Sequence, residues 1–254
     1  MTAAAFKRSI RDLQVWCSSC MVAFSGSDSI GVLIGAKRPS GTLVHKIAVH
    51  PDHRRQGHGR HLLASLGSKL AILGPPRIVA EIPETLAPAL GLFEASGFVE
   101  EALLTDYVLE REENAERNAG GVFDGRFVIP VSVADLAANG LLGEDDAPAC
   151  WQRAVETLTA RKDDITGLAV ATDERIEASI LYMKDTAEVV SMRSAVEDQG
   201  ARLRLLLSQL RARGMERVRF ARVSPAELPG PLLDALGFRP AGAHRLCAAR
   251  ARSD

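Results

Sequence analysis

HPDHRRQGHGR, residues 50–60, packs three histidines, three arginines and two glycines into one stretch of a chain whose formal net charge is −1. Such a segment is either a solvated turn or a cradle for a strongly anionic group, and its flanks decide between them. Upstream, TLVHKIAV (42–49) alternates Leu43, His45, Ile47 and Val49 against Val44, Lys46 and Ala48, the period of a strand. Downstream, Leu62, Leu66, Leu70 and Leu73, with Leu63 alongside, recur at helical spacing until Gly74 and two prolines stop the run. A turn between strand and helix aims several backbone N–H groups one way, and the helix dipole adds partial positive charge at the same place. Gly57 and Gly59 let the backbone approach an anion with no side chain between, while Arg54, Arg55 and Arg60 add fixed charge. No Gly-Lys-Ser/Thr follows, so this is not a P-loop, and the dinucleotide pattern G-x-G-x-x-G is absent.

The bulk composition is that of an ordinary globular protein: 254 residues, 46% hydrophobic and 25% charged. A charge so near zero gives no sign of nucleic acid or a membrane surface as partner. No apolar run nears the roughly 20 residues that span a bilayer, and the first residues lack a secretory pattern. Four cysteines are too few for a disulfide scaffold, so a cytoplasmic location is expected. Cys17 and Cys20 form a C-x-x-C pair, but Cys150 and Cys247 are isolated, so four zinc ligands are not assembled. Packing explains the pair better than redox chemistry, because the segment does not open a helix after a strand.

Along the rest of the chain, residues 5–16 read as a short amphipathic helix with Ile10, Leu13 and Trp16 on one side. CMVAFS and SIGVLIGAK read as strands joined by a polar turn, RIVAEI (77–82) as another, and residues 87–96 as a short helix ending at Gly97. A final strand pair then ends in TDYVLER. The polar run at residues 111–121 has no apolar period and reads as a linker between a first domain, 1–110, and a second, 122–254. The second half repeats the grammar: RFVIPV as a strand, helices within 132–162, then ITGLAVA, RIEASILYM and AEVVSMRS as strands. ARLRLLLSQLRARG reads as a helix and ERVRFARV as a strand, and LPGPLLDALGF echoes APALGLFEASGF. This is a duplication at domain scale, and the first copy lacks an opening strand and helix.

IAVHPDHRRQGHGRHLL resembles motif A of the GCN5-related N-acetyltransferases (GNAT), and LFEASGF resembles the end of that family's motif B. The resemblance covers roughly residues 20–110. It implies an α/β (α+β) chain of two tandem GNAT-like domains, each a mixed, mainly antiparallel sheet flanked by helices. It also implies acetyl-CoA as co-substrate. Backbone groups of Ile47, Ala48 and Val49 would meet the pantetheine arm, while Arg54, Arg55, Gln56, Gly57, His58, Gly59 and Arg60 would surround the pyrophosphate. The coenzyme carries the activated acyl group, and the protein aligns an amine against the thioester. Glu81 occupies the position of a proposed base in relatives that acetylate ribosomal proteins, with Glu84 as the second candidate. The family's usual asparagine falls on Leu86 and its usual tyrosine on Phe93, so the standard proton donor is absent. Tyr107 or a water is the expected substitute, and His45, facing the acceptor cleft, is a minor candidate for the base. Five of the six histidines lie between 45 and 61, but no carboxylate or cysteine completes a ligand set, so no metal is expected.

In the second half, SMRSAVEDQGARLRLLL puts Glu197 and Asp198 where the first has Arg54 and Arg55. Arg202 stands at the place of Gly59, and only Gly200 is kept. Carboxylates facing a pyrophosphate repel it, so the second copy reads as degenerate and the first as the only coenzyme domain. The expected activity is acetyl transfer to a small-molecule or peptide amine. The rival is a non-catalytic acyl-CoA-binding or scaffolding protein. A homodimer is one way to supply the missing opening strand.

Overall fold

The computed structural model describes residues 3–110, 127–142 and 150–251. The chain forms two compact units that are not consecutive segments. The first is Met1–Leu103 with His244–Asp254, and the second is Leu104–Ala243. The linker expected at 111–121 lies outside the described residues.

The first unit opens with α1 (Ala3–Leu13), which ends sooner than the apolar spacing suggests. Gln14 takes a left-handed backbone (φ 56) and Val15 bridges to Ala36, so Trp16 leaves the helix face and stands 58% exposed. The strands β1 (Met21–Ser25), β2 (Asp28–Arg38) and β3 (Gly41–Val49) then form an antiparallel meander. The helix α2 (His58–Leu73) returns the chain to β4 (Arg77–Pro83), which lies parallel to β3. Leu62, Leu63, Leu66 and Leu70 of α2 are buried against Leu33, Val44, Ile78, Ala80 and Ile82. Leu73, in the last turn, is 71% exposed, because the helix outruns that core. The short helix α3 (Ala87–Glu94) adds Phe93, whose ring meets Phe98 edge-on at 4.9 Å.

After α3 there is one strand, β5 (Val99–Leu109), not the expected pair, since Glu100–Leu109 contains no glycine, proline or asparagine to turn the chain. Its last residues belong to the second unit, where Thr105–Leu109 pair antiparallel with β10 (Val218–Val223). The second unit otherwise follows the expected order: β6 (Phe127–Val131), α4 (Val133–Ala138), α5 (Val155–Ala160), β7 (Ile165–Ala171) and β8 (Ile176–Met183). It continues through β9 (Glu188–Ser194), α6 (Ala201–Ala212), β10 and α7 (Gly230–Ala235). Its sheet is packed on both faces. Leu203, Leu206, Leu207 and Leu210 of α6 lie against Leu168, Val170, Ile180 and Phe220, while Leu136 and Leu158 of α4 and α5 lie against Ala169 and Leu181.

The chain then makes a strand that the sequence reading lacks, β11 (Arg239–Arg250). Its part from His244 onward belongs to the first unit and pairs antiparallel with β4, Leu246 opposite Glu81 and Cys247 opposite Ala80. Each unit is thus completed by strand residues from the other half of the sequence. The first unit has no counterpart of β6 ahead of β1 among the described residues, as its shorter opening implies.

A buried charge ties the residues before α5 to β10 and to the turn after it in the second unit. The Arg153 side chain is 5% exposed and donates to the carbonyl oxygens of Ala221 and Arg222 (the latter at 2.8 Å) and to the Glu227 carboxylate. Its guanidinium also lies 4.8 Å from the centre of the Phe220 ring. Replacing it with an apolar chain leaves Glu227 and two carbonyls without this donor. Arg153→Met is therefore expected to cost about 3–5 kcal/mol. Urea unfolding followed by the fluorescence of buried Trp151 measures it, and a loss below about 1 kcal/mol would show that the cluster is incidental.

Candidate functional site

The ladder between β3 and β4 holds only two pairs, Thr42–Ile78 and Leu43–Val79, and beyond them the strands part. At the parting, β3 carries an extra residue: Val44 faces Gly35 and Lys46 faces Ile34 across β2, with His45 between them. A bulge of this kind bends a strand and re-aims its side chains. Ile47, Ala48 and Val49 therefore run on along an edge that β4 has left.

The loop that follows is tightly built. The His50 N–H donates to Ile30 O at 2.7 Å, and Pro51–His53 make a 3-10 turn. Arg54 folds back so that its Nε donates to Val49 O at 3.0 Å, and Gln56 Nε2 donates to Asp52 O at 3.1 Å. These two side chains brace the loop. Arg55 takes a left-handed backbone (φ 62), and it and Arg60 are exposed. The His53 ring stands 5.9 Å from His50 and 6.1 Å from His58. Among the described residues no group of histidines, cysteines and carboxylates is arranged to hold a metal ion.

Gly57 is the N-cap of α2 at φ 88, and a Cβ placed there meets nothing within 4 Å. The first-turn amides of α2 thus begin beneath open space, the arrangement that suits a phosphate-type anion. Gly59 has a different reason to be glycine from the one its spacing suggests. A Cβ there would come within 3.1 Å of Leu92, so this glycine lets α3 pack close to α2.

Glu81 lies on β4, half-buried, on the face away from α2 and α3, because Ile78, Ala80 and Ile82 take the core side. Glu84 is exposed, 3.5 Å from Arg245. Phe93 is in the core and Leu86 is the exposed N-cap of α3. Tyr107, expected as the proton donor, lies in the second unit, buried in that unit's core opposite Phe220.

The second unit repeats the geometry and fills it from within. The β9–β10 ladder holds two pairs, Glu188–Arg219 and Val189–Phe220, β9 bulges at Val190, and Gly200 caps α6 at φ 77. Here the Asp198 carboxylate sits at the helix start. It accepts from the N–H groups of Gly200 and Arg202, both at 3.0 Å, and from Arg202 Nη1 at 2.6 Å. Arg202, at the position of Gly59, is buried and also donates to Glu177 at 2.7 Å. Glu197 is exposed, so one carboxylate rather than two lies against the helix start. Arg153 occupies the carbonyls at the open end of β10. A cleft of about 620 Å³ remains, lined by Arg193, Glu197, Leu203 and Leu228 among others. The sequence carried a signal for this plug: an aspartate just before the helix and an arginine four residues on.

Residues 16–100 match the model of the acetyltransferase (GNAT) domain. The whole chain is similar in fold to a tandem GNAT protein from the clavulanic acid biosynthesis pathway, solved without acetyl-CoA. That match has 17% identity and a TM-score of 0.67, over 97% of this chain and 88% of that one. It is also similar to a GCN5-related N-acetyltransferase from Sphaerobacter thermophilus, with 16% identity and a TM-score of 0.66, over 92% and 81%. A third, from Anabaena variabilis, has 10% identity and a TM-score of 0.66, over 99% and 67%. At these identities the likeness is one of fold.

Burial pushes the Asp198 acid up, but the hydrogen bonds and charge of Arg202, with the Gly200 amide, outweigh it and hold the acid below its ordinary value. A depressed carboxyl contributes stability above the ordinary carboxylate range and loses it as pH falls through the folded value. Asp198→Asn should therefore destabilise the second unit at pH 7 and cost progressively less as pH falls toward about 3. Urea unfolding at both pH values measures the difference. An equal cost at both would mean that the charge on Asp198 contributes nothing.

Proposed function

With an acetyltransferase (GNAT) domain over residues 16–100 and the tandem GNAT fold over the whole chain, we propose that this protein is an acetyl-CoA-dependent N-acetyltransferase with one working site, in its first unit. The observation that carries the reading is the contrast between the two copies. The split and helix start of the first lie open, while the second has supplied its own anion and its own donor to the same places.

In this reading the backbone of Ile47, Ala48 and Val49 pairs with the pantetheine arm, which brings the thioester to the parting of β3 and β4. The α2 amides, with Arg55, His58 and Arg60, take the pyrophosphate, and Arg54 and Gln56 hold the loop in shape. An amine enters on the face that carries Glu81. Its nitrogen attacks the acetyl carbonyl, the C–N bond forms and the C–S bond breaks, and the coenzyme leaves as thiolate. Glu81 takes the amine proton. The chain has two tyrosines, and both Tyr107 and Tyr182 lie in the second unit's core. The thiolate is therefore protonated from water. The acceptor is a small-molecule or peptide amine, and the four cysteines, all thiols, suit the cytoplasm in which we place the reaction.

Calorimetric titration of acetyl-CoA should find one site per chain. Gly57→Val, which places a branched side chain in the open space at a left-handed backbone, should weaken binding at least about tenfold. Circular dichroism distinguishes that from loss of fold, and Arg55→Ala, on an exposed side chain, should weaken binding without touching the fold. Two sites would overturn the assignment of the second unit, and no binding would overturn the whole reading. Binding without thiol release in the presence of primary amines would favour a non-catalytic acyl-CoA-binding protein.

A further inference from the structure

Five of the six histidines cluster between residues 45 and 61, and the sixth, His244, is nearly two hundred positions away from the first of them. The fold brings it back to the first unit. On β11, His244 is paired with Pro83 and Leu246 with Glu81, so alternation puts His244, Leu246, Pro83 and Glu81 on one face of the sheet. The core confirms the alternation: Cys247 and Ala249 pack with Ile78, Ala80 and Ile82 on the other face. His244 and Glu81 are diagonal neighbours across an antiparallel pair, within reach of long side chains. Both are half-buried.

We propose that His244 is a positioning residue for acyl transfer, which acts through Glu81 from the neighbouring strand. The inference rests on the reading of Glu81 as base. Glu81 takes the proton lost by the attacking amine. Neutral His244 accepts that proton through its imidazole and passes it to water, which restores the carboxylate for the next turnover. The amine proton thus ends in solvent, and the departing thiolate takes one from solvent, so the balance closes. Other ionisable groups around the pair come from each neighbouring element. His45 and Lys46 lie at the β3 bulge, Glu84 is in the turn after β4, and Glu100 and Glu101 are on β5. Arg245 is engaged by Glu84 at 3.5 Å and Glu100 at 3.1 Å, and Arg77 pairs with Glu101.

The test needs no knowledge of the acceptor. In the full-length protein with ring-labelled histidine, the His244 resonance is assigned by its loss in His244→Gln and titrated by NMR with and without Glu81→Gln. Removing a neighbouring carboxylate should lower the His244 midpoint by about half a pH unit or more. An unchanged midpoint overturns the pairing, whatever the protein catalyses. Thiol release from acetyl-CoA, with spermidine and an alanyl dipeptide as amine probes, gives the second readout. His244→Gln should lower the maximal rate and shift the acid limb of the pH profile, with acetyl-CoA affinity unchanged. A rate and pH profile equal to the parent's would overturn the role of His244. Loss of acetyl-CoA binding by the parent protein would overturn the acetyltransferase reading instead, and would leave the NMR result standing.

Discussion

Two residue pairs, Thr42–Ile78 and Leu43–Val79, are all that join β3 to β4, and the candidate site of the first unit is shaped by where that ladder stops. A parallel ladder continued to Val49 would use the backbone of Ile47 to Val49 within the sheet. The bulge at His45 ends it, bending β3 away just before the loop and α2. The loop then has one task, to bring the chain into a helix whose first amides face outward. Its hydrogen bonds from Arg54 and Gln56 and the left-handed backbone at Arg55 and Gly57 all serve that turn.

The second unit meets the same constraint with side chains of its own. Its strands part after two pairs as well, and its helix starts at a left-handed glycine. Open amides and carbonyls in a buried place are costly unless something meets them. Asp198 meets the amides and Arg153 meets the carbonyls of Ala221 and Arg222. Arg202 ties Asp198 to Glu177, so the introduced charge is itself neutralised. The geometry recurs, and side chains of the chain itself fill it.

Most strands and helices were legible because their periods are strong. ITGLAVA matches β7 residue for residue, and the leucines of α2 and α6 are the ones buried. The failures have physical causes. Trp16 has the right spacing for α1, but the backbone at Gln14 turns first. Gly59 reads as room for an anion, and in the fold it also makes room for Leu92. Tyr107 is close in sequence to the first site, yet β5 carries it into the second unit.

What the sequence determined by itself is whatever depends on neighbours along the chain: the strand–turn–helix around residues 50–60, the duplication, and the asymmetry between an arginine-bearing loop and an acidic one. Those are local properties of period, turn chemistry and charge. The tertiary structure alone decided which strands complete each unit. Most apolar residues of β11 are alanines, with Leu246 and Cys247 the only larger ones, and arginines stand at both its ends, so nothing in its period tells that it pairs with β4. Strand partners are chosen by backbone hydrogen bonding and by which edge remains to be paired. No residue carries that information alone, and it is this choice that sets His244 beside Glu81.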